Sequence, residues 1–228
     1  MAVVDLAHTP VRKLNAALQA LQGSGHEPWR ITNPQGKHAI AAGLTAAVAV
    51  RIEGNVGYYC AGMNQQAQVV VRGNAGVGLA ENMMSGSVRI EGDASQSAGA
   101  TGHGGLLVIE GNAAARCGIS MKGIDIVVKG SIGPMSAFMG QAGNLVVLGD
   151  TGENLGDSIY EARLFVRGAV RSLGADCIEK PLAADDRVIL RNLLAQSGLS
   201  DLARVAEFRM YGSARRLYHF HVDNADSY

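Results

Sequence analysis

Apolar residues recur along this chain on a fixed beat. Gly54, Gly73, Gly92, Gly111, Gly130, Gly149 and Gly168 each stand 19 residues after the last, and each closes a short apolar segment. Two positions ahead of each glycine the residues are Ile52, Val71, Ile90, Ile109, Val128, Val147 and Val166, all β-branched. Four positions ahead they are Val50, Val69, Val88, Leu107, Ile126, Leu145 and Leu164, all aliphatic. Alternate positions that share one character indicate strand periodicity. Nineteen residues are too few for a βαβ unit, which takes about 30. The pattern therefore predicts an all-β chain, a single-stranded right-handed parallel β-helix with 19-residue coils. Equivalent residues would stack about 4.8 Å apart.

The remaining positions of the repeat extend this picture. Asn55, Asn74, Asp93, Asn112, Ser131, Asp150 and Ala169 follow the glycines, and Gly-Asn or Gly-Asp reads as turn chemistry that tolerates left-handed backbone. The residues just before the glycines run Glu53, Arg72, Glu91, Glu110, Lys129, Leu148 and Arg167, a largely alternating charged ladder on the outside. Three positions before, the series is Arg51, Val70, Arg89, Val108, Val127, Val146 and Phe165. Its last four members form a continuous apolar strip facing outward, and contiguous apolar surface implies a cover. Either the chain's own terminal helices or a partner subunit could supply it.

A β-helix has open ends that need caps. Thr9-Pro10 reads as a helix start, with Val11, Leu14, Leu18 and Leu21 as an apolar stripe ending before Gly23. Trp29-Arg30-Ile31 lies one 19-residue period before Val48-Ala49-Val50, which places an irregular first coil there. Asp185 to Gln196 reads as a second helix with Val188, Ile189, Leu193 and Leu194 apolar, and Gly198 ends it. The expected organisation is a helical cap over 1–30, the β-helix over 31–180, and a helical cap with a tail over 181–228. Phe208, Tyr211 and Tyr218 concentrate in that tail, and together with the strip Val108, Val127, Val146 and Phe165 they form the candidate interface.

Composition narrows the function. Thirty glycines against one Trp, six Tyr and four Phe suit tight stacking of small side chains rather than a conventional core. Twenty basic and twenty acidic residues cancel, which argues against nucleic acid as a partner. Three cysteines without paired spacing argue against a disulfide framework, and the N-terminus shows no signal-peptide pattern. The uncharged stretch from Gly130 to Gly149 contains five glycines and Pro134 and is itself one repeat, so it does not read as a membrane span. A cytoplasmic protein is expected.

Catalytic arrangements are hard to assemble. Gly99 to Gly105 leads into a strand rather than a helix and lacks the lysine of a phosphate loop. Cys60 and Cys117 share one ladder three coils apart, too far for a disulfide or a shared metal, and read as core thiols. Cys177 has no obvious partner. His219 and His221 would lie on one side of an extended segment but lack a third ligand. Glu81, in Glu81-Asn82-Met83-Met84-Ser85, has no second acid or base beside it. No catalytic, cofactor-binding or metal-binding residue is assigned.

The coils also resemble a known family. Segments such as Ala61-Gly62-Met63-Asn64, Ala80-Glu81-Asn82-Met83-Met84-Ser85-Gly86 and Cys117-Gly118-Ile119-Ser120-Met121-Lys122-Gly123 are similar to the Gly-x-Gly-x-Gly β-helix domain. That domain forms the C-terminal part of the glutamate synthase large subunit and occurs in a formylmethanofuran dehydrogenase subunit. The likeness covers roughly residues 30–180. A chain of this length ending Tyr218-His219-Phe220-His221-Val222-Asp223-Asn224 resembles the stand-alone β-helix subunit of N-methylglutamate synthase and similar split complexes. The resemblance implies a non-catalytic assembly subunit. Its partners would be a glutamine-amidotransferase-like chain and a chain carrying FMN and iron–sulfur clusters. Together they would transfer an amino or methylamino group to 2-oxoglutarate with reduction. The other readings are an assembly subunit of a formylmethanofuran-dehydrogenase-type complex and a free-standing homo-oligomeric binding module.

Overall fold

In the computed structural model, which describes residues 1–215, each apolar segment ahead of a repeat glycine becomes a strand. These are β3 (Ala49–Glu53), β4 (Gln68–Arg72), β5 (Ser87–Ile90), β6 (Leu106–Ile109), β7 (Lys122–Val128), β8 (Ala142–Val147) and β9 (Arg163–Val166). Two strands precede them, β1 (Ala2–Asp5) and β2 (Trp29–Thr32), and every neighbour from β1 to β9 pairs in parallel. From β3 to β9 the aligned partners are 19 residues apart, as in Val50↔Val69 and Ile52↔Val71, except at the irregular start of β7, where Lys122 pairs with Ala142. Both aliphatic ladders are buried. The chain is a β-solenoid.

A second ladder of single bridges runs through Val56, Ala75, Ala94, Ala113, Ile132, Thr151 and Val170. Its middle rungs are the small Ala75, Ala94 and Ala113, and its outer rungs are the β-branched Val56, Ile132, Thr151 and Val170. The third side departs from strand geometry. Tyr59, Ala61 and Met63 have φ of 59°, 54° and 55°, and their equivalents in the following coils through Asn154, Gly156 and Ser158 are also left-handed. Non-glycine residues held this way cost about 1 kcal/mol each. The amides alternate between coils to compensate: Tyr59 donates forward to Val77 at 2.8 Å, Ala61 backward to Ile40 at 3.0 Å, and Met63 forward to Glu81 at 2.8 Å.

The repeat glycines correct the turn reading. Gly54 has a left-handed φ, at 126°, but Gly73, Gly92, Gly111, Gly130, Gly149 and Gly168 do not. Those six are needed for closeness instead. A Cβ on Gly111 would sit 2.3 Å from Asp93 Oδ1 and 2.7 Å from the Gly92 carbonyl oxygen. On Gly168 it would sit 2.2 Å from the Gly149 carbonyl oxygen and 2.5 Å from Asp150 Oδ1. The coils touch through the missing side chains. The residues after the glycines do not supply left-handed turns either. All but Ala169 take the amide of their successor: Asn74 N donates to Asn55 Oδ1 at 2.8 Å, and the ladder runs through Asp93, Asn112 and Ser131 to Ala169 N on Asp150 Oδ1 at 2.7 Å. Past Gly168 the period slips by one, for Leu155 bridges Leu173 and Asn154 N donates to Ser172 Oγ, each 18 residues on.

The N-terminal end is closed by α1 (Val11–Gln19), which turns Leu14 and Leu18 onto the core. Asn15 Nδ2 donates to the Ala39 carbonyl at 2.7 Å, and Gln19 Nε2 to Ala42 at 2.8 Å, so the helix satisfies backbone groups of the first coil. Strand β1 falls in the segment that sequence reading gave to a helical cap. The first coil is also longer than the period suggests. Trp29 pairs with Val50 and Ile31 with Ile52, an offset of 21 rather than 19, because that register sets Ile31 on the buried Ile52 ladder.

The C-terminal end closes differently. Strand β10 (Cys177–Lys180) does not stack on β9; β11 (Arg209–Ser213) inserts antiparallel between them, with Tyr211 opposite Leu164. Arg209 Nη2 also donates to the Gly168 carbonyl at 3.2 Å, so the last repeat glycine meets the closing strand rather than another coil's amide. Helix α2 (Ala184–Gln196) and a short 3₁₀ turn (Val205–Glu207) lie between β10 and β11 in the chain. Leu190, Leu193 and Leu194 are the buried apolar residues of α2, whereas Val188, expected in its apolar stripe, is 48% exposed.

Candidate functional site

Each chemically suggestive residue now has a place. Cys60 and Cys117 point into the solenoid and are fully buried, and burial pushes both thiols up to about 12. Cys177 packs near the last coil, where burial first and the nearby Asp157 charge second push it up to about 11. Thiols held that high are not nucleophiles at neutral pH. His103 is exposed just ahead of β6, and its backbone amide donates to Met83 O at 2.7 Å. Glu81 is half-buried in a groove with Tyr59, Val77 and the stacked pair His38–Tyr58, whose ring centroids are 3.7 Å apart. Among the described residues no hydrogen bond or ion pair joins Glu81 to His38, whose Nδ1 instead accepts the Tyr58 amide at 3.2 Å. These residues do not converge, and no group of three or more His, Cys, Asp or Glu that could hold a metal occurs among the described residues. His219 and His221 lie outside the described residues.

The outward strip is where sequence reading and structure part. Val108, Val127, Val146, Phe165, Phe208 and Tyr211, offered as an interface, are all buried within the chain. Val127, Val146 and Phe165 belong to a second core with Leu190, Leu193, Leu194, Leu199, Phe208 and Met210, so α2 and the segment leading into β11 cover the strip. Leu148, read as one rung of the charged ladder, is buried there too. Tyr211 instead joins the solenoid's own core as the partner of Leu164. Tyr218 lies outside the described residues.

Polar contacts fasten this cover. Arg163 Nε lies 3.3 Å from Asp186 Oδ1, and the other oxygen of Asp186 accepts the Ala183 amide at 3.1 Å at the start of α2. Arg89 Nη2 donates to the Ser197 carbonyl at the end of α2 at 2.9 Å, and Arg167 Nη1 to Leu202 O at 2.9 Å. Beneath α2, Asp125 accepts from Asn144 Nδ2 at 2.7 Å, and burial raises its carboxyl above the ordinary value.

Toward the N-terminus no element among the described residues covers the same sheet face in this way. Val3 is 61% exposed, and Arg30, Arg51 and Arg72 hold side chains about half in solvent around Glu53. Sequence reading placed Arg51 and Val70 in the outward series but missed Arg30 as their neighbour, because the 21-residue first coil breaks the period. Arginines on successive strands of one face were the available signal. No helix among the described residues is long and apolar enough to cross a membrane.

Comparison with known proteins gives one full-length likeness to report. The chain is 62% identical to Protein GlxC of Rhizobium meliloti (strain 1021) over 229 residues, covering 100% of both chains. No family model matches it. No solved structure matches it either.

Proposed function

The chain belongs to the family of Protein GlxC, and from that membership and the architecture we propose that it is a structural, non-catalytic subunit of a glutamate-synthase-type complex. N-methylglutamate synthase is the specific complex the sequence resembles. In this reading a glutamine-amidotransferase-like chain releases the amino group, and an FMN and iron–sulfur chain reduces the adduct formed with 2-oxoglutarate. This chain holds the two in place in the cytoplasm and binds no cofactor itself.

The observation that carries the proposal is what the polar residues of the repeat do. Asn55, Asn74, Asp93, Asn112, Ser131 and Asp150, the side chains best suited to bind a ligand, each accept the amide of the next coil. The cysteines are buried with their thiols held protonated, and among the described residues Glu81 is bonded to neither an acid nor a base. Chemistry of this kind builds a rigid spacer.

Co-expression tests the reading. The chain, affinity-tagged, is produced with the FMN/iron–sulfur glutamate-synthase-like subunit and the amidotransferase-like subunit of the same genome. The expected result is a stoichiometric complex with glutamine- or methylamine-linked turnover that is lost when this chain is omitted. Turnover by the other two subunits alone, with this chain eluting separately, overturns it.

A further inference from the structure

The face formed by β2, β3 and β4 carries three guanidiniums crowded about one carboxylate. Arg30 Nε and Arg51 Nε approach the same Glu53 oxygen at 3.2 and 3.0 Å, and Arg72 reaches the other at 4.0 Å while also meeting Glu91 at 3.3 Å. Farther along the same face, arginines reach oxygens of the covering segment: Arg89 the Ser197 carbonyl, Arg163 the Asp186 carboxylate, and Arg167 the Leu202 carbonyl. Among the described residues no covering element brings oxygens to Arg30, Arg51 or Arg72. Each guanidinium has five donors in a planar fork suited to bidentate carboxylate binding, and these three use only part of that capacity. Arg51, Arg72 and Glu91 line a groove of about 330 Å³ whose apolar lining includes Trp29 and Val70, and Arg30 lies outside that lining. The groove therefore joins apolar contact area to unspent positive charge, a combination enriched at protein interfaces.

We propose that this stretch of the sheet docks a carboxylate-rich segment of a partner subunit, continuing along the first coils the cover that α2 and the segment leading into β11 supply over the last ones. The proposal rests on the reading of the chain as a subunit of a larger complex. Carboxylates of the incoming segment take the free guanidinium donors of Arg30, Arg51 and Arg72, while its apolar residues fill the groove beside Trp29 and Val70.

Arginine footprinting tests it. The isolated full chain and the co-expressed complex are treated with phenylglyoxal, and modified peptides are quantified by mass spectrometry. Arg30, Arg51 and Arg72 are expected to react several-fold less in the complex, while Arg116, exposed on another side of the solenoid, reacts equally in both. The double variant Arg51→Glu/Arg72→Glu is expected to keep its circular dichroism spectrum yet release the partner at lower salt, and Arg116→Glu is expected to behave as wild type. A complex in which the three arginines stay fully reactive overturns the docking site and leaves the assembly reading intact. If no complex forms, both fall. Protection already present in the isolated chain also overturns the proposal. If that protection grows with protein concentration, the occupant is a second copy; if it vanishes on truncation after Arg215, the occupant is the chain's own C-terminal residues.

Discussion

One face of one sheet is finished in two ways along its length. Over β2 to β4 its outward column is Arg30, Arg51 and Val70, open to solvent; over β6 to β9 it is Val108, Val127, Val146 and Phe165, sealed by the chain's own C-terminal segment. The two stretches share the 19-residue register from β3 onward, the inner aliphatic ladders, the contact glycines and the asparagine–aspartate ladder. Folding of the coil therefore leaves the outward position free to vary. In a solenoid the inward and contact positions specify the stack, and the outward positions specify what lies against it.

The sharpest way to break this contrast is to place the same charge in both stretches. Val127→Asp puts a carboxylate beneath α2 where Val127 is fully buried, and should cost on the order of 3–5 kcal/mol. The melting temperature should fall by about 10 °C in calorimetry. Val70→Asp, whose strand neighbours are Arg51 and Arg89, should stay within about 0.5 kcal/mol of wild type. Equal losses at the two sites would mean that the first coils are covered as well.

A smaller effect checks that the stack itself is uniform. A Cβ at Gly73 would lie 2.7 Å from Asn55 Oδ1, and at Gly149 2.6 Å from the Gly130 backbone, so Gly→Ala at either should cost about 1–3 kcal/mol through crowding. Denaturant midpoints of Gly73→Ala, Gly111→Ala and Gly149→Ala should shift alike. A loss confined to one end would contradict a common scaffold under both faces.

Smaller still is the fastening of the cover. Asp186→Ala removes both the acceptor for the Ala183 amide and the partner of Arg163, and should cost about 1 kcal/mol. Backbone hydrogen exchange over 184–196 should quicken while exchange in β3 and β4 stays unchanged.

The smallest effect is a pH dependence. Burial raises the folded-state carboxyl of Asp125 above its ordinary 3.8, so the folded chain keeps that proton at pH values where the unfolded chain has lost it. This contribution favours folding at acid pH and is lost as pH rises from 3.8 through the raised value. Asp125→Asn should flatten that part of the stability profile and leave the protein no less stable at neutral pH. An unchanged profile would mean the carboxyl titrates normally beneath α2.

How far the sequence could be read follows from the same division. Positions that touch equivalent positions in the next coil repeat, so the strands from β3 to β9 and both aliphatic ladders were legible at single-residue register. The role of the repeat glycines was only half legible: periodicity marks them, but whether a glycine serves φ or contact depends on the distance between coils, which at Gly111 and Gly168 leaves no room for a Cβ. Strand β1, the 21-residue first coil and the antiparallel β11 escaped because each occurs once. Their positions are set by tertiary pairing, Ala2 with Trp29 and Tyr211 with Leu164, and not by any repeat. The apolar strip was legible as surface needing a cover. The identity of the cover was not, since Leu190 and Met210 carry no periodic signature.

The absorption spectrum of the purified full chain, produced without partner subunits, tests the central claim most directly. A structural subunit whose polar repeat residues are occupied by coil-to-coil bonding should show only the near-ultraviolet band of its tryptophan and tyrosines, with no absorption at visible wavelengths. Flavin or iron–sulfur absorption bound stoichiometrically to the isolated chain would contradict the account.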